Sequence, residues 1–321
     1  MGICRYCGQR AGWFSDVHDA CAASCKQGCE QVVAAVSSAV KDRLKIPTEH
    51  PDTPDWYSDF ALKMWAELKQ TVDNLTAEHK IPSDDAHRAL MRGWSISAQE
   101  LAFAEPLNPD TWSVMSRLYG LMGFTDGEMR KTEGFLAASF SMLLWSVMVH
   151  GDPTPFASVQ PHPFNLHGGE IPLMFFGSVV YSKETVSRSY QGGYGGMSVR
   201  LARGMYYHFG GFRGQRIDAS TLKEIDYGGL LITTQNLYFG GDHTNFRIPY
   251  DHVVSFRAHS DGIGIFRDSA SAKAEVFTVL EADPGGGNPV SARPVFGWFL
   301  YNIAHFLAQP EARTLYAKAK A

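Results

Sequence analysis

The stretch Gly229-Leu-Leu-Ile-Thr-Thr-Gln-Asn-Leu-Tyr-Phe239 decides how the second half of this chain folds. Its two apolar runs, 230–233 and 237–239, are short and rich in β-branched and aromatic residues. Runs of that length and composition are typical of strands, and the polar residues between them favour a turn. The stretch therefore predicts two neighbouring strands.

Short runs of the same kind surround that stretch. They lie at residues 173–181, 198–201, 246–248, 253–258, 262–266 and 274–280, with Gly or Asp turns between them. A loop at 283–288 then leads into a helix that is apolar along one face. The residues of that face are Phe296, Phe299, Leu300, Ile303, Phe306 and Leu307. The pattern predicts a strand meander or barrel whose open end the helix can plug.

A helical region precedes these strands. Its pattern predicts a helix over 30–44, an N-cap at Asp110 and an apolar helix over 128–149. Residues 31–150 repeat apolar residues at intervals of three and four, and a stretch with four prolines, 151–163, separates them from the strands. The longest uncharged stretch, 134–149, has 16 residues, short of the roughly 20 that a membrane-spanning helix needs. We interpret it as a buried helix, with a membrane-dipping segment as the alternative.

Composition excludes some partners as a matter of overall charge. The 321 residues carry a formal net charge of -4, with a pI near 6.3, and 45% of them are hydrophobic. A chain of this kind has an ordinary globular core and no global attraction to nucleic acid or to an anionic membrane. Binding of either would require a local basic patch.

The cysteines are confined to the first 29 residues. They are Cys4, Cys7, Cys21, Cys25 and Cys29. Such clustering favours a metal site over a disulfide framework, which would join loops across a small secreted domain. The amino terminus lacks an apolar signal core and a myristoylation signal. We therefore expect a reducing, cytoplasmic location.

The spacing of these residues predicts a structural zinc site. Cys4-x2-Cys7 is followed by Gly8, which permits a tight knuckle, and His18-x2-Cys21 supplies a second pair. Four protein ligands leave no open position for water, so the metal is expected to be structural. Cys25, one helical turn after Cys21, is an alternative to His18 as the fourth ligand. A further alternative is that all of these are free buried cysteines, and Cys29 is expected to be a packed thiol.

A basic stretch in the β-region is a second candidate site. Between residues 183 and 218 the cations Lys183, Arg188, Arg200, Arg203, Arg213 and Arg216 outnumber the acids Glu184 and Asp218. Such a patch can bind phosphates or an acidic protein face, and the alternative is a solvated strand face. The glycine-rich tract 192–196 lies within it, lacks a P-loop ending, and is interpreted as a strand connection.

The sequence offers no convincing catalytic set. His150-Gly151-Asp152 and Asp242-His243 are the nearest His and Asp pairs, but neither adjoins a nucleophile motif. We interpret both as turn residues and predict no catalytic residues.

Several motifs in the β-region resemble those of uncharacterised bacterial proteins with a PH-like or GRAM-like domain. The most specific element is the order of three strands, one with Leu-Ile-Thr-Thr at 231–234, one with Ile-Pro at 248–249 and one with Asp-Gly-Ile at 261–263. Gly297-Trp-Phe-Leu-Tyr-Asn-Ile303 is similar to the closing helix of such a domain. The resemblance covers about residues 164–309, and relatives of this kind often carry a zinc-ribbon-like head similar to 4–21.

The resemblance implies a seven-stranded bent sheet or partial barrel capped by one helix. Domains of this kind bind lipids, peptides or partner proteins and are rarely enzymes. Eukaryotic PH domains bind phosphoinositides through basic residues between their first two strands, and Lys183 and Arg188 lie near that position. Likeness of fold alone is a weak basis for assigning such an activity.

Together these observations predict an α+β multidomain protein. Its parts are a zinc-ribbon-like head at 1–30, a helical domain at 31–150 and a PH-like partial barrel with its capping helix at 164–309. We expect a non-enzymatic bacterial binding or scaffold protein with an unidentified protein partner. The alternatives are peripheral membrane attachment to anionic lipid through the 183–216 patch, and a regulatory subunit of an enzyme or nucleic-acid complex. The sequence contains no specific nucleic-acid-binding motif, and assembly into a homo-oligomer is a further alternative.

Overall fold

The computed structural model describes most of the chain, and every structural statement below concerns that part. The described residues are 2–12, 15–43, 55–152, 162–184, 192–194, 197–202, 205–209, 212–214, 222–268, 274–282, 291 and 293–318. They contain eight α-helices and eleven β-strands and divide into two compact units. The first comprises Met1–Leu101 and Pro109–Phe135, and the second Ala102–Asn108 and Leu136–Ala321. The predicted domain boundaries stay predictions.

Six of the described helices precede the strands in the chain and two follow them. They are α1 (Asp19–Arg43), α2 (Trp56–His79), α3 (Ser83–Ala104), α4 (Pro109–Leu121), α5 (Asp126–Met129), α6 (Glu133–Trp145), α7 (Arg293–Leu307) and α8 (Pro310–Lys318). A π-helical turn, Ser146–His150, follows α6 directly. The mixture of helices and sheet confirms the α+β class.

The core of the first unit is formed by apolar residues at helical spacing. Val32, Val36 and Val40 of α1 are fully buried, and the indole of Trp94 on α3 is buried where its Nε1–H donates to the Met115 carbonyl at 3.2 Å. Burying the apolar face of each helix stabilises it more than its intrinsic propensity does.

Helix boundaries differ from the predicted ones where side-chain caps or proline intervene. Helix α1 begins at Asp19 rather than at 30, so it contains the last three cysteines. The predicted helix over 128–149 is divided in two, because α5 ends at Met129 and α6 begins at Glu133. Thr125 and Glu128 form the capping box that starts the short α5. The Thr132 hydroxyl then accepts from the Phe135 N–H at the start of α6. Proline at the first position of α4 displaces the predicted N-cap at Asp110.

The uncharged stretch lies within α6 and the π-helical turn. Among the described residues, Glu133–His150 is the one helical segment long and apolar enough to span a membrane, and 72% of it is buried inside the protein. That burial fits the predicted core helix.

The second unit is organised around an antiparallel sheet. Its strands are β1 (Pro172–Glu184), β2 (Gly192–Tyr194), β3 (Met197–Ala202), β4 (Met205–Phe209), β5 (Phe212–Gly214), β6 (Leu222–Thr233), β7 (Asn236–Gly241), β8 (Asn245–Pro249), β9 (Val253–Ala258), β10 (Gly262–Arg267) and β11 (Glu275–Glu281). Seven of them form one sheet, curled into a half-barrel, in the order β8-β7-β6-β1-β11-β10-β9. Each predicted strand overlaps one of these strands.

The remaining strands lie between β1 and β6 in sequence. They form two ribbons, β2 with β5 and β3 with β4. The pairs Gly192↔Gly214 and Ser198↔His208 have the same register as the pair Lys183↔Lys223 of β1 and β6. Residues 192–194 of the glycine-rich tract are therefore a strand, whereas we had predicted a connection; 195–196 lie outside the described residues.

Helix α7 packs against β9, β10 and β11. Gly297 allows a close approach, because a Cβ at that position would overlap the carbonyl oxygen of His259 in the β9–β10 turn. The ring of Phe299 stacks on that of Phe140, with centroids 4.3 Å apart, and Phe176 of β1 meets both rings. This arrangement agrees with the predicted helix that caps a bent sheet.

A buried carboxylate organises the turn between β6 and β7. Glu170 accepts hydrogen bonds from the Thr233 hydroxyl at 3.0 Å, the Asn236 amide at 2.5 Å and the Tyr238 hydroxyl at 3.0 Å. The Thr233 hydroxyl in turn accepts from the N–H groups of Gln235 and Asn236. The polar residues of the stretch that predicts these strands thus hold the turn that joins them.

Candidate metal centre

The first pair of candidate ligands lies on a backbone knuckle. The N–H of Cys4 donates to the Gln9 carbonyl at 2.7 Å, and the N–H of Gly8 donates to the Cys4 carbonyl at 2.8 Å. Gly8 has φ +69°, a conformation that residues with a Cβ rarely adopt. A bridge between Ile3 and Arg10 closes the loop. The turn brings Cys4 and Cys7 together, as their spacing predicts.

The second pair lies where α1 begins. The carbonyl of His18 accepts the N–H of Ala22 at 3.0 Å, which is the first helical hydrogen bond, and Cys21 lies in the first turn. Before it, the Ser15 hydroxyl accepts the N–H of Val17 at 3.1 Å and so forms a local turn. The cysteine head and the first helix are therefore one continuous structure at this point.

Cys4, Cys7, His18 and Cys21 converge on one point. Each offers one ligand atom, and these atoms all lie within 4.8 Å of one another. The Nδ1 atom of His18 lies 3.4 Å from the Cys7 sulfur and 3.7 Å from the Cys21 sulfur. Cys4 is buried and the other three are half-buried. A group of three thiols and one imidazole at this spacing could hold a metal ion.

Backbone hydrogen bonds lower the pKa of one thiol in the group, that of Cys4. Burial raises the pKa of Cys4, but this effect is outweighed by the backbone N–H groups that donate to its sulfur, and the pKa falls to about 6. Those N–H groups belong to His18, Cys7 and Tyr6. The lowered pKa favours the thiolate form of Cys4.

Neighbouring groups also raise the pKa values of His18 and Cys21. The Arg10 carbonyl and the Cys7 sulfur raise the pKa of His18. Burial, together with the sulfurs of Cys7 and Cys4, raises the pKa of Cys21 to about 11. A bound cation would stabilise these neighbouring sulfurs in their deprotonated form, because metal binding displaces their protons.

The remaining cysteines face each other rather than the group. Cys25 is buried and is not a member of the four-residue group. Burial and the neighbouring Cys25 thiol raise the pKa of Cys29 to about 11. The packed thiol predicted at Cys29 agrees with this environment.

The structure describes only part of the predicted basic patch. Lys183 is exposed on β1, pairs in register with Lys223 and with Glu275, and places its Nζ 5.7 Å from the centre of the Tyr181 ring. Arg200 and Arg213 belong to β3 and β5. The other three, Arg188, Arg203 and Arg216, lie outside the described residues. The patch stays a prediction.

Both His–Asp pairs lie where the chain turns. His150 ends the π-helical turn and is followed by Gly151 at φ +75°. Asp242 and His243 lie in the turn between β7 and β8, where the N–H of His243 donates to Asp226 at 2.9 Å. Sequence reasoning missed Asp226, a buried carboxylate that also accepts from the Thr244 N–H at 2.7 Å.

The sequence analysis also did not predict a shallow groove in the first unit. It has a volume of about 450 Å³ and lies along one face of α3, where Met91 and Ile96 contribute apolar surface. Of the arginines on its rim, Arg88 is paired with Asp85 and Arg92 with Glu30. Because both cations already have carboxylate partners, the groove carries no excess of positive charge.

Comparison with known proteins leaves the candidate site without a family assignment. No protein-family model matches the chain, and no curated protein matches it. The PH-like resemblance therefore depends on the sequence motifs and on the architecture of the sheet.

Proposed function

We propose that Cys4, Cys7, His18 and Cys21 hold one structural zinc ion. The convergence of the four ligand atoms to within 4.8 Å of one another carries this proposal. Zinc–sulfur bonds of about 2.3 Å in a tetrahedron separate two sulfurs by about 3.8 Å, so the group needs only a small contraction. Three thiolates and one imidazole fill the tetrahedron, leaving no position for a substrate or a reactive water.

Direct metal analysis tests the zinc site. We expect one zinc per chain in the intact protein and loss of that zinc in Cys4→Ser or Cys7→Ser. Cys29→Ser is the matched control, because it removes a thiol from the same head without touching the group. Cys25→Ser tests the alternative ligand set, and we expect it to retain the metal. A protein that contains no zinc would refute the proposal.

We further propose that residues 164–309, which belong to the second unit, form a PH-like binding domain of a non-enzymatic, cytoplasmic bacterial scaffold protein. The sheet order β8-β7-β6-β1-β11-β10-β9 supports this assignment, because β1 lies between two antiparallel runs of consecutive strands, β6-β7-β8 on one side and β11-β10-β9 on the other. The helix α7, which follows the last strand and packs on the sheet, also supports it. Both features are those that the sequence resemblance implies. The ligand class is a protein partner.

Quantitative affinity capture of the intact chain from its host tests the scaffold role. We expect one or a few proteins to co-elute at constant stoichiometry and to persist in moderate salt. Flotation with anionic liposomes tests the alternative, in which Lys183→Glu should weaken a salt-sensitive association. If liposomes bind and no protein does, lipid attachment replaces the scaffold proposal. If neither binds, both are wrong.

A further inference from the structure

We propose that His18 binds the metal through Nδ1 and that the backbone carbonyl of Arg10 fixes the ring in that orientation. This inference rests on the proposed zinc site and specifies which of the two ring nitrogens of His18 binds the ion. The contact that motivates it is the 2.9 Å hydrogen bond between the Nε2 atom of His18 and the carbonyl oxygen of Arg10.

The chemistry of that contact determines the tautomer. A carbonyl oxygen can only accept, so Nε2 carries the hydrogen. In a neutral imidazole the other nitrogen, Nδ1, then has the free lone pair. That atom faces the Cys7 sulfur at 3.4 Å and the Cys21 sulfur at 3.7 Å, so the lone pair is directed into the ligand group.

The opposite ring orientation loses both interactions. Rotating the imidazole by half a turn about its bond to Cβ exchanges Nδ1 with Cδ2 and Nε2 with Cε1. Carbon atoms would then face the Arg10 carbonyl and the thiols, leaving this acceptor and the ligand group without a nitrogen. The native orientation satisfies the carbonyl and the group at once.

The accepting carbonyl belongs to the same knuckle that supplies the first two ligands. Its position is held by the bridge between Ile3 and Arg10 and by the hydrogen bond from the Ala11 N–H to the Gly2 carbonyl at 2.9 Å. The knuckle therefore contributes two sulfurs directly and orients the nitrogen that comes from the start of α1. Outer hydrogen bonds of this kind fix the tautomer of metal-binding histidines and raise their basicity.

Cadmium-113 NMR on the intact chain tests the inference. Cadmium replaces zinc in thiolate-rich sites and has a nuclear spin, so the nitrogen bonded to it shows a direct coupling when the histidines carry ¹⁵N. We expect the coupling on Nδ1 of His18 and a proton on its Nε2. The variant His18→Gln identifies the resonance among the other histidines, because the coupled signal disappears.

The outcomes separate this inference from the metal site itself. Coupling on Nε2, or no coupling to any histidine while the cadmium stays bound, would overturn the Nδ1 assignment and leave the metal site intact. Failure to bind cadmium would instead remove the site. Arg10→Ala is the matched control, because it keeps the carbonyl, and we expect an unchanged coupling pattern; a changed pattern would show that the side chain rather than the carbonyl sets the ring.

Discussion

His259 should make the second unit sensitive to mild acid. This residue lies in the β9–β10 turn with only 9% of its surface exposed, and its Nε2 atom has no hydrogen-bond partner among the described residues. Burial, with a contribution from the Arg257 charge, lowers the pKa of His259 from 6.5 to about 4. The native state therefore holds the ring neutral.

The direction and size of the effect follow from linkage. Because the pKa is lower in the folded state than in the unfolded state, the unfolded chain takes up the proton first as pH falls. The stability is thus fully present above the unfolded value of 6.5 and is lost progressively as pH falls toward 4. With those two values the loss is about 2 kcal/mol at pH 5 and about 3 kcal/mol at full protonation.

Comparison of the wild type with His259→Phe isolates this contribution, since phenylalanine has a similar ring and cannot be protonated. We would measure amide hydrogen exchange of β10 across a urea titration, near pH 7.5 and near pH 5. Because β10 belongs to the second unit, its exchange reports the unfolding free energy of that unit alone. The wild type should lose about 2 kcal/mol more than the variant between the two conditions. Equal losses would refute the claim that the buried ring resists protonation.

Three further predictions concern the metal, the cap and the buried carboxylate. Chelation should lower the thermal stability of the first unit and accelerate amide exchange in the first turn of α1, measured by mass spectrometry; unchanged exchange would contradict a structural ion. Gly297→Ala should lower the free energy of unfolding in urea by several kcal/mol, because the added methyl group would overlap a carbonyl oxygen. Gly120 is an exposed helical residue with open space around its Cα, so the control Gly120→Ala should leave this free energy unchanged or raise it. Glu170→Leu should destabilise the second unit by about 2–4 kcal/mol because three buried donors lose their acceptor, and a loss below about 0.5 kcal/mol would show that the network is dispensable.

The strands could be predicted from the sequence because their signal is local. The runs at 230–233 and 253–258 lie within β6 and β9, and β-branched and aromatic residues mark both of them. The ribbon of β2 with β5 was harder to predict, because glycines dilute that signal in both strands. Local apolar patterning therefore finds the strands of the seven-stranded sheet and β3, but not the glycine-rich strands β2 and β5.

The convergence of the four candidate ligands could also be predicted, since the spacing of Cys4-x2-Cys7 and His18-x2-Cys21 reflects the geometry of two short turns. The tautomer of His18 could not, because it depends on a backbone carbonyl that carries no sequence signal. The neutral state of His259 was equally inaccessible, since burial by strands and a helix far apart in sequence produces it. Properties that arise from tertiary packing do not appear in a local pattern.

The motifs behind the PH-like resemblance make hydrogen bonds and close contacts that the fold requires. Thr233 and Thr234 hold the β6–β7 turn, since the Thr233 hydroxyl accepts backbone N–H groups and the Thr234 hydroxyl accepts the N–H of Ile171 at 3.1 Å. Pro249 ends β8, an edge strand, where the missing N–H costs nothing.

The residues of the Asp-Gly-Ile motif, 261–263, likewise make contacts that the backbone of the sheet requires. The carbonyl of Asp261 accepts the N–H of Val279 at 2.8 Å, and a Cβ on Gly262 would overlap the Phe277 carbonyl. Residues required by the backbone in this way would recur in any protein with this sheet, whatever it binds. Under the proposed binding role, specificity would come from residues that the fold does not need, such as the exposed Lys183 on β1 and Val254, which is 69% exposed on the edge strand β9. Substitutions at those two positions should change binding while leaving the unfolding free energy within about 0.5 kcal/mol of the wild type, and a large loss of stability at either would contradict this division.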